Sequence, residues 1–104
     1  MLTNLIKQFD GFCIESDSAF KIIFKLKYNC TLSVIMGELA YSTPQQKLKN
    51  IDDYSEVEIA CIDNKGHFFI HEFFKNKTDD PIITFLNVKD LKDFLIHELS
   101  IHIR

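Results

Sequence analysis

Apolar positions follow two different periods along this chain. Near its start, Leu2, Leu5, Ile6 and Phe9 fall at i, i+3, i+4 and i+7, the stripe that one helix face presents to a core. Asp10-Gly11 closes that helix, because glycine takes the left-handed conformation of a C-terminal cap at low cost. Phe12-Cys13-Ile14-Glu15 and the polar turn Ser16-Asp17-Ser18 follow. Period two then takes over: Phe20, Ile22, Phe24 and Leu26 point one way and Lys21, Ile23, Lys25 and Lys27 the other, as in a half-buried antiparallel strand. Tyr28-Asn29 turns the chain into a second alternating run, Cys30, Leu32, Val34 and Met36, and the two runs predict a hairpin.

A third strand is expected over 38–42, ended by Thr43-Pro44, where proline removes a ladder donor. Residues 45–53 carry only Leu48 and Ile51 as apolar positions and read as a loop with at most one helical turn. A second hairpin is predicted from 55–62 through Asp63-Asn64-Lys65-Gly66 to 67–74. Lys75 to Pro81 reads as a loop and 82–85 as a short final strand. Asn87 then caps a last helix whose inner stripe is Val88, Leu91, Phe94, Leu95 and Leu99. The expected fold is α+β: an antiparallel sheet of about five to six strands with an N-terminal and a C-terminal helix, in a single domain spanning 1–104.

Composition narrows the function classes. Of 104 residues, 46% are hydrophobic, too many for a disordered chain, and the formal net charge of −3 argues against direct binding of nucleic acid. No apolar run approaches the roughly 20 residues of a membrane span, and the first residues lack a signal-peptide pattern, so a cytoplasmic protein with no membrane contact is expected. Three widely spaced cysteines, each in an apolar stretch, then read as reduced, buried small hydrophobes.

Candidate chemistry is sparse. His97 and His102 stand at i+5, not the i+4 that would set two zinc ligands on one helix face. His67 and His71, four strand residues apart, are separated by roughly 13 Å, too far for one metal. They are expected at a rim or packed against Phe69 and Phe73. With three glycines and no phosphate-loop, dinucleotide or nucleophile-elbow pattern, no enzyme, cofactor or metal site is expected. Lys21, Lys25 and Lys27 form a small basic face of the kind that guards strands against aggregation. The strand read over 67–74 is apolar on both faces, so one face is either packed or a partner-binding patch. The most suggestive cluster is acidic. Asp52, Asp53, Glu56, Glu58 and Asp63 fall within twelve residues without an intervening Lys or Arg. Asp52, Asp53, Glu56 and Glu58, joined by Asp79 and Asp80, are the candidate partner-binding residues, a patch for a basic protein surface.

The run Tyr28-Asn29-Cys30-Thr31-Leu32-Ser33-Val34-Ile35-Met36-Gly37 with Tyr41-Ser42-Thr43-Pro44 resembles a GY-x-x-SV-x-x-G … YS-x-P pattern. Glu56-Val57-Glu58-Ile59-Ala60, Asp79-Asp80-Pro81-Ile82 and Val88-Lys89-Asp90-Leu91 resemble EVA … DDVI-x-Y-x-x-x-EL. Small uncharacterised proteins encoded by bacteriophages and prophages share this layout, and Asn29 stands where their pattern has a turn glycine. The resemblance implies a small non-enzymatic inhibitor of host defence, anti-CRISPR-like, that binds a nucleic-acid-binding nuclease complex as its protein partner. Two alternatives stay open: an immunity protein or antitoxin for a cognate toxin, and an oligomeric phage structural or assembly protein. In that last reading the chain forms a homodimer.

Overall fold

The alternating runs pair as their pattern requires. A computed structural model describes residues 1–99. Helix α1 spans Leu2–Gln8, followed by strands β1 (Phe12–Glu15), β2 (Ala19–Lys25), β3 (Thr31–Gly37), β4 (Glu56–Ile62), β5 (Phe68–Phe69) and β6 (Ile82–Asn87), and helix α2 (Val88–Leu99). All pairings are antiparallel, in the order β1-β2-β3-β4, and β4 takes both β5 and β6 along its far side. The chain is therefore α+β, an antiparallel sheet of six strands between an N-terminal and a C-terminal helix.

Register assigns every sheet residue to a face. Phe20, Ile22 and Phe24 of β2, Leu32, Val34 and Met36 of β3, and Val57, Ile59 and Cys61 of β4 are buried on one side. Both helices lie there: Leu2 and Leu5 of α1 and Val88, Leu91, Phe94 and Leu95 of α2 complete the same core. Phe94 meets Phe74 at 5.0 Å between ring centroids and Phe73 at 5.4 Å. Each such side chain contributes about 1.5–3 kcal/mol by leaving water. Asn87 caps α2 as its position suggests, its Oδ1 accepting the Lys89 N–H at 2.8 Å.

Three segments depart from the sequence reading. Residues 38–42 form a turn, not a strand. Gly37 takes φ +143° and lifts the chain off the sheet, the Ser42 hydroxyl accepts the Gly37 N–H, and only Thr43 returns, bridging to Glu56. The strand expected over 67–74 is two residues long and gives way to a 3-10 turn, Glu72–Phe74. A straight strand cannot send both Phe73 and Phe74 toward α2; the turn does, and the His71 ring stabilises it by accepting the Phe73 N–H at 3.0 Å. Phe12–Glu15, passed over as a short run, is the edge strand of the sheet. In consequence Cys13 is exposed and Cys30 half-buried, and only Cys61 is the buried thiol expected of all three.

Candidate functional site

Two features carry the polar and exposed apolar side chains worth weighing. The first is the sheet face turned away from the helices. Register lays its side chains in rows. Phe12, Ile23, Ser33, Ala60 and Ile82 form one; Ile14, Lys21, Ile35 and Glu58 form the next; Lys25, Thr31, Ile62 and Phe68 form a third. Among the described residues no helix covers them. Phe12 and Ile14 are each 52% exposed and Phe68 is 55% exposed, large apolar groups left in water on one surface.

At one margin of this face the backbone is strained to display an aromatic. Between the pairs Val57–Leu86 and Ile59–Ile83, Glu58 stands alone opposite Thr84 and Phe85, a β-bulge. Phe85 takes φ +51°, a left-handed conformation costing a β-propensity residue of order 1–2 kcal/mol. Its N–H leaves the ladder and donates to the Tyr41 carbonyl at 2.9 Å, and the two rings lie 5.8 Å apart, both largely exposed. Tyr41 is held from its other side, its N–H donating to Glu58 Oε1 at 3.0 Å.

The six acidic candidates divide into structural and free groups. Asp52 faces α1, where its carboxylate accepts the Thr3 N–H at 2.9 Å, the Thr3 hydroxyl at 2.8 Å and the Met1 ammonium at 3.0 Å. The Thr3 N–H foremost among these bonds holds its pKa down to about 2. Glu56 accepts the Thr43 hydroxyl at 2.6 Å, Glu58 accepts Tyr41, and Asp80 accepts the Ile82 N–H at 2.9 Å. Asp53 and Asp79 are exposed, with no side-chain hydrogen bond among the described residues. Glu56 and Glu58 share the outer face of β4 with Asp52 and Asp53 just ahead of them. Asp79 and Asp80 precede Ile82, which pairs with Ala60, so they stand at the other end of β4, roughly 20 Å from Glu56 over six strand residues. The acids form two groups at opposite ends of the strand.

The second feature is a cleft of about 280 Å³ lined by Lys27, Tyr28, Cys30, Phe69, His71, Glu72, His97 and Glu98. Inside it His71 Nε2 lies 3.1 Å from Glu98 Oε1, and Glu98 is only 6% exposed. The Phe73 N–H points at His71 Nδ1, which makes that nitrogen the acceptor and places the ring proton on Nε2, toward Glu98. Both ring nitrogens are thus committed, and neither faces a substrate as a general base must. Phe94 packs edge-on against the ring at 4.8 Å. The pair tethers the 72–74 turn to α2. Burial raises the thiol pKa of Cys30 and pushes that of Cys61 up to about 12, so neither is a thiolate nucleophile at neutral pH. Among the described residues no three His, Cys, Asp or Glu side chains converge on a metal position. His67 is exposed beside Asp63, and His102 lies outside the described residues.

Sequence reasoning missed the His71–Glu98 pair, whose members are 27 positions apart, and the Tyr41–Phe85 pair, which depends on a bulge without a glycine to announce it. Phe12 and Ile14 did carry a signal, apolar residues two apart, on a run too short to be assigned. No helix among the described residues is long and apolar enough to cross a membrane. The chain matches no protein-family model, no curated protein and no solved structure.

Proposed function

We propose that this protein is a non-enzymatic protein-binding module whose contact surfaces are the open face of its sheet and the acidic margins of that face. The observation that carries the reading is that face itself. It carries large apolar side chains, Phe12, Ile14 and Phe68 among them, interspersed with Lys21 and Glu58, and among the described residues no helix covers it. Soluble domains seldom leave so large an apolar surface in water unless another protein covers it.

The partner class follows from the rim. Asp53 and Asp79, the carboxylates with no structural duty, flank the face at opposite ends of β4 and suit a basic surface. Lys and Arg side chains that hold phosphates accept carboxylates as readily. In this reading the chain acts in the bacterial cytoplasm as an inhibitor of a nucleic-acid-binding defence nuclease complex, occupying the channel its nucleic acid would fill.

Affinity capture by the tagged chain from a bacterial host lysate, at low and high salt, tests this beside the Asp53→Lys/Asp79→Lys variant. A nucleic-acid-binding complex retained at low salt, released at high salt and lost on charge reversal is expected. Capture indifferent to both salt and charge removes the electrostatic inhibitor reading. A small toxin as sole partner replaces it with immunity.

A further inference from the structure

The central row of the open face is patterned so that it matches itself. On this face β2 carries Lys21 and Lys25 and β4 carries Glu56 and Glu58, with Ile35 of β3 between them beside a buried Ser33. A two-fold axis laid along β3, between two sheets packed face to face, exchanges left and right. It therefore sets β2 of one copy over β4 of the other and keeps each row at its own level. Lys21 then faces Glu58, and Ile35 faces Ile35 across the axis. The outer strands match as well. Phe12 is in the row of Ile82, and Ile14 in the row whose far end is the Phe85 bulge, so β1 of each copy covers β6 of its mate with apolar on apolar.

We propose that this face joins two copies of the chain in a symmetric homodimer, with Lys21 of each copy paired to Glu58 of the other. The proposal rests on reading the face as a protein interface, and names a second copy as its first occupant. Two observations select that occupant. Charge complementarity is the first. The other in-plane axis, across the strands, would set the lysines of β2 over those of β2 and the acids of β4 over those of β4. Only the axis along β3 brings unlike charges together, to within the ~30° at which aligned sheets pack. Area is the second. The exposed parts of the apolar side chains on this face sum to on the order of 600 Å² per copy, close to the ~800 Å² that a standard interface takes from each partner. Glu58 is already held by its bond to the Tyr41 N–H, so little side-chain freedom is lost on pairing. Asp53 and Asp79, at the ends of β4, remain outside the Lys21–Glu58 contact for a further partner.

Sedimentation equilibrium of the full chain up to about 200 µM, a range that captures dissociation constants of standard-size interfaces, tests the proposal. A dimer is expected. Lys21→Glu and Glu58→Lys should each weaken it at least tenfold, and the two together should restore it. Ile35→Asp should abolish it, while circular dichroism confirms that each variant is folded. Glu58→Gln removes the charge yet keeps an acceptor for Tyr41, so it separates lost pairing from a disturbed turn and should also weaken the dimer. A monomer throughout the range overturns the proposal. So does a dimer indifferent to Ile35→Asp, as pairing through the free edge of β1 would be, or a charge swap that fails to restore association. A monomer that still captures the effector complex in the experiment above overturns the dimer alone. A dimer that captures nothing leaves the homodimer standing and removes the inhibitor reading.

Discussion

Asp52 caps the first helix from 49 positions away, its carboxylate accepting both the backbone N–H and the hydroxyl of Thr3. Helix α1 is seven residues long and has no side-chain cap of its own, so these bonds satisfy donors at its start that would otherwise face water alone. Asp52→Ala should cost about 1 kcal/mol, the usual worth of an N-cap. The folded-state pKa is depressed to about 2 from an ordinary 3.8, so the contribution is complete above about pH 4 and fades as pH falls through 2. Urea unfolding at pH 7 and pH 2.5 should show a difference between variant and parent that is clearly smaller at the second, where protonation of the folded carboxylate has begun. An equal difference at both would remove the carboxylate from the explanation.

The His71–Glu98 pair should behave as a structural tether. His71→Ala leaves a nearly fully buried carboxylate without its partner and should cost about 3 kcal/mol. Replacing both residues by leucine should cost clearly less than His71→Ala alone, since no polar group is then stranded. Chemical denaturation of the two variants and the parent gives the comparison. A double variant as unstable as His71→Ala or more so would show that the pair does not act as one unit.

Two glycines with positive φ should respond differently to alanine. At Gly37 a Cβ would collide with the Ser18 carbonyl oxygen and meet the Ala19 Cα at 2.7 Å, backbone atoms that cannot step aside. Gly37→Ala should therefore cost about 3 kcal/mol or prevent folding. Gly66, at φ +84°, has nothing within 4 Å of the same position, and Gly66→Ala should cost only about 1 kcal/mol of backbone strain. Thermal melts read side by side test the contrast; equal losses would mean that the Gly37 turn yields.

The cysteines should separate by burial. Cys13, on the exposed edge strand, should react with a thiol reagent within minutes at pH 8, although its pKa is raised above the ordinary value, chiefly by partial burial. Cys61, 3% exposed with its thiol pushed up to about 12, should react only as the protein unfolds. Labelling followed by peptide mapping reads both rates. Rapid labelling of Cys61 in native buffer would contradict its place in the core. Substitutions on the outer face give a complementary check at dilutions where the chain is monomeric: Phe12→Ala should leave stability within about 0.5 kcal/mol, whereas Phe94→Ala should cost about 3 kcal/mol or more.

What the chain specifies locally, its sequence shows. The alternation through 20–26 and 30–36 names both strands and their inward faces, because period two is a property of the strand itself. The stripe of α2 and its Asn87 cap are legible for the same reason. The acidic set was visible as a cluster in sequence, yet only the fold reveals that Asp52 caps α1, that Glu56 and Glu58 hold the 41–43 segment, and that Asp79 and Asp80 stand at the other end of β4. Burial and pairing are long-range events: residues 38–42 left the sheet because Gly37 and Ser42 offered the backbone another partner, and 72–74 curled because Phe73 and Phe74 both had a place against Phe94. Which face of the sheet stays open was decided by where two helices dock. That choice depends on packing between segments up to ninety residues apart, and it alone turns Phe12, Ile14 and Lys21 from strand residues into an exposed surface.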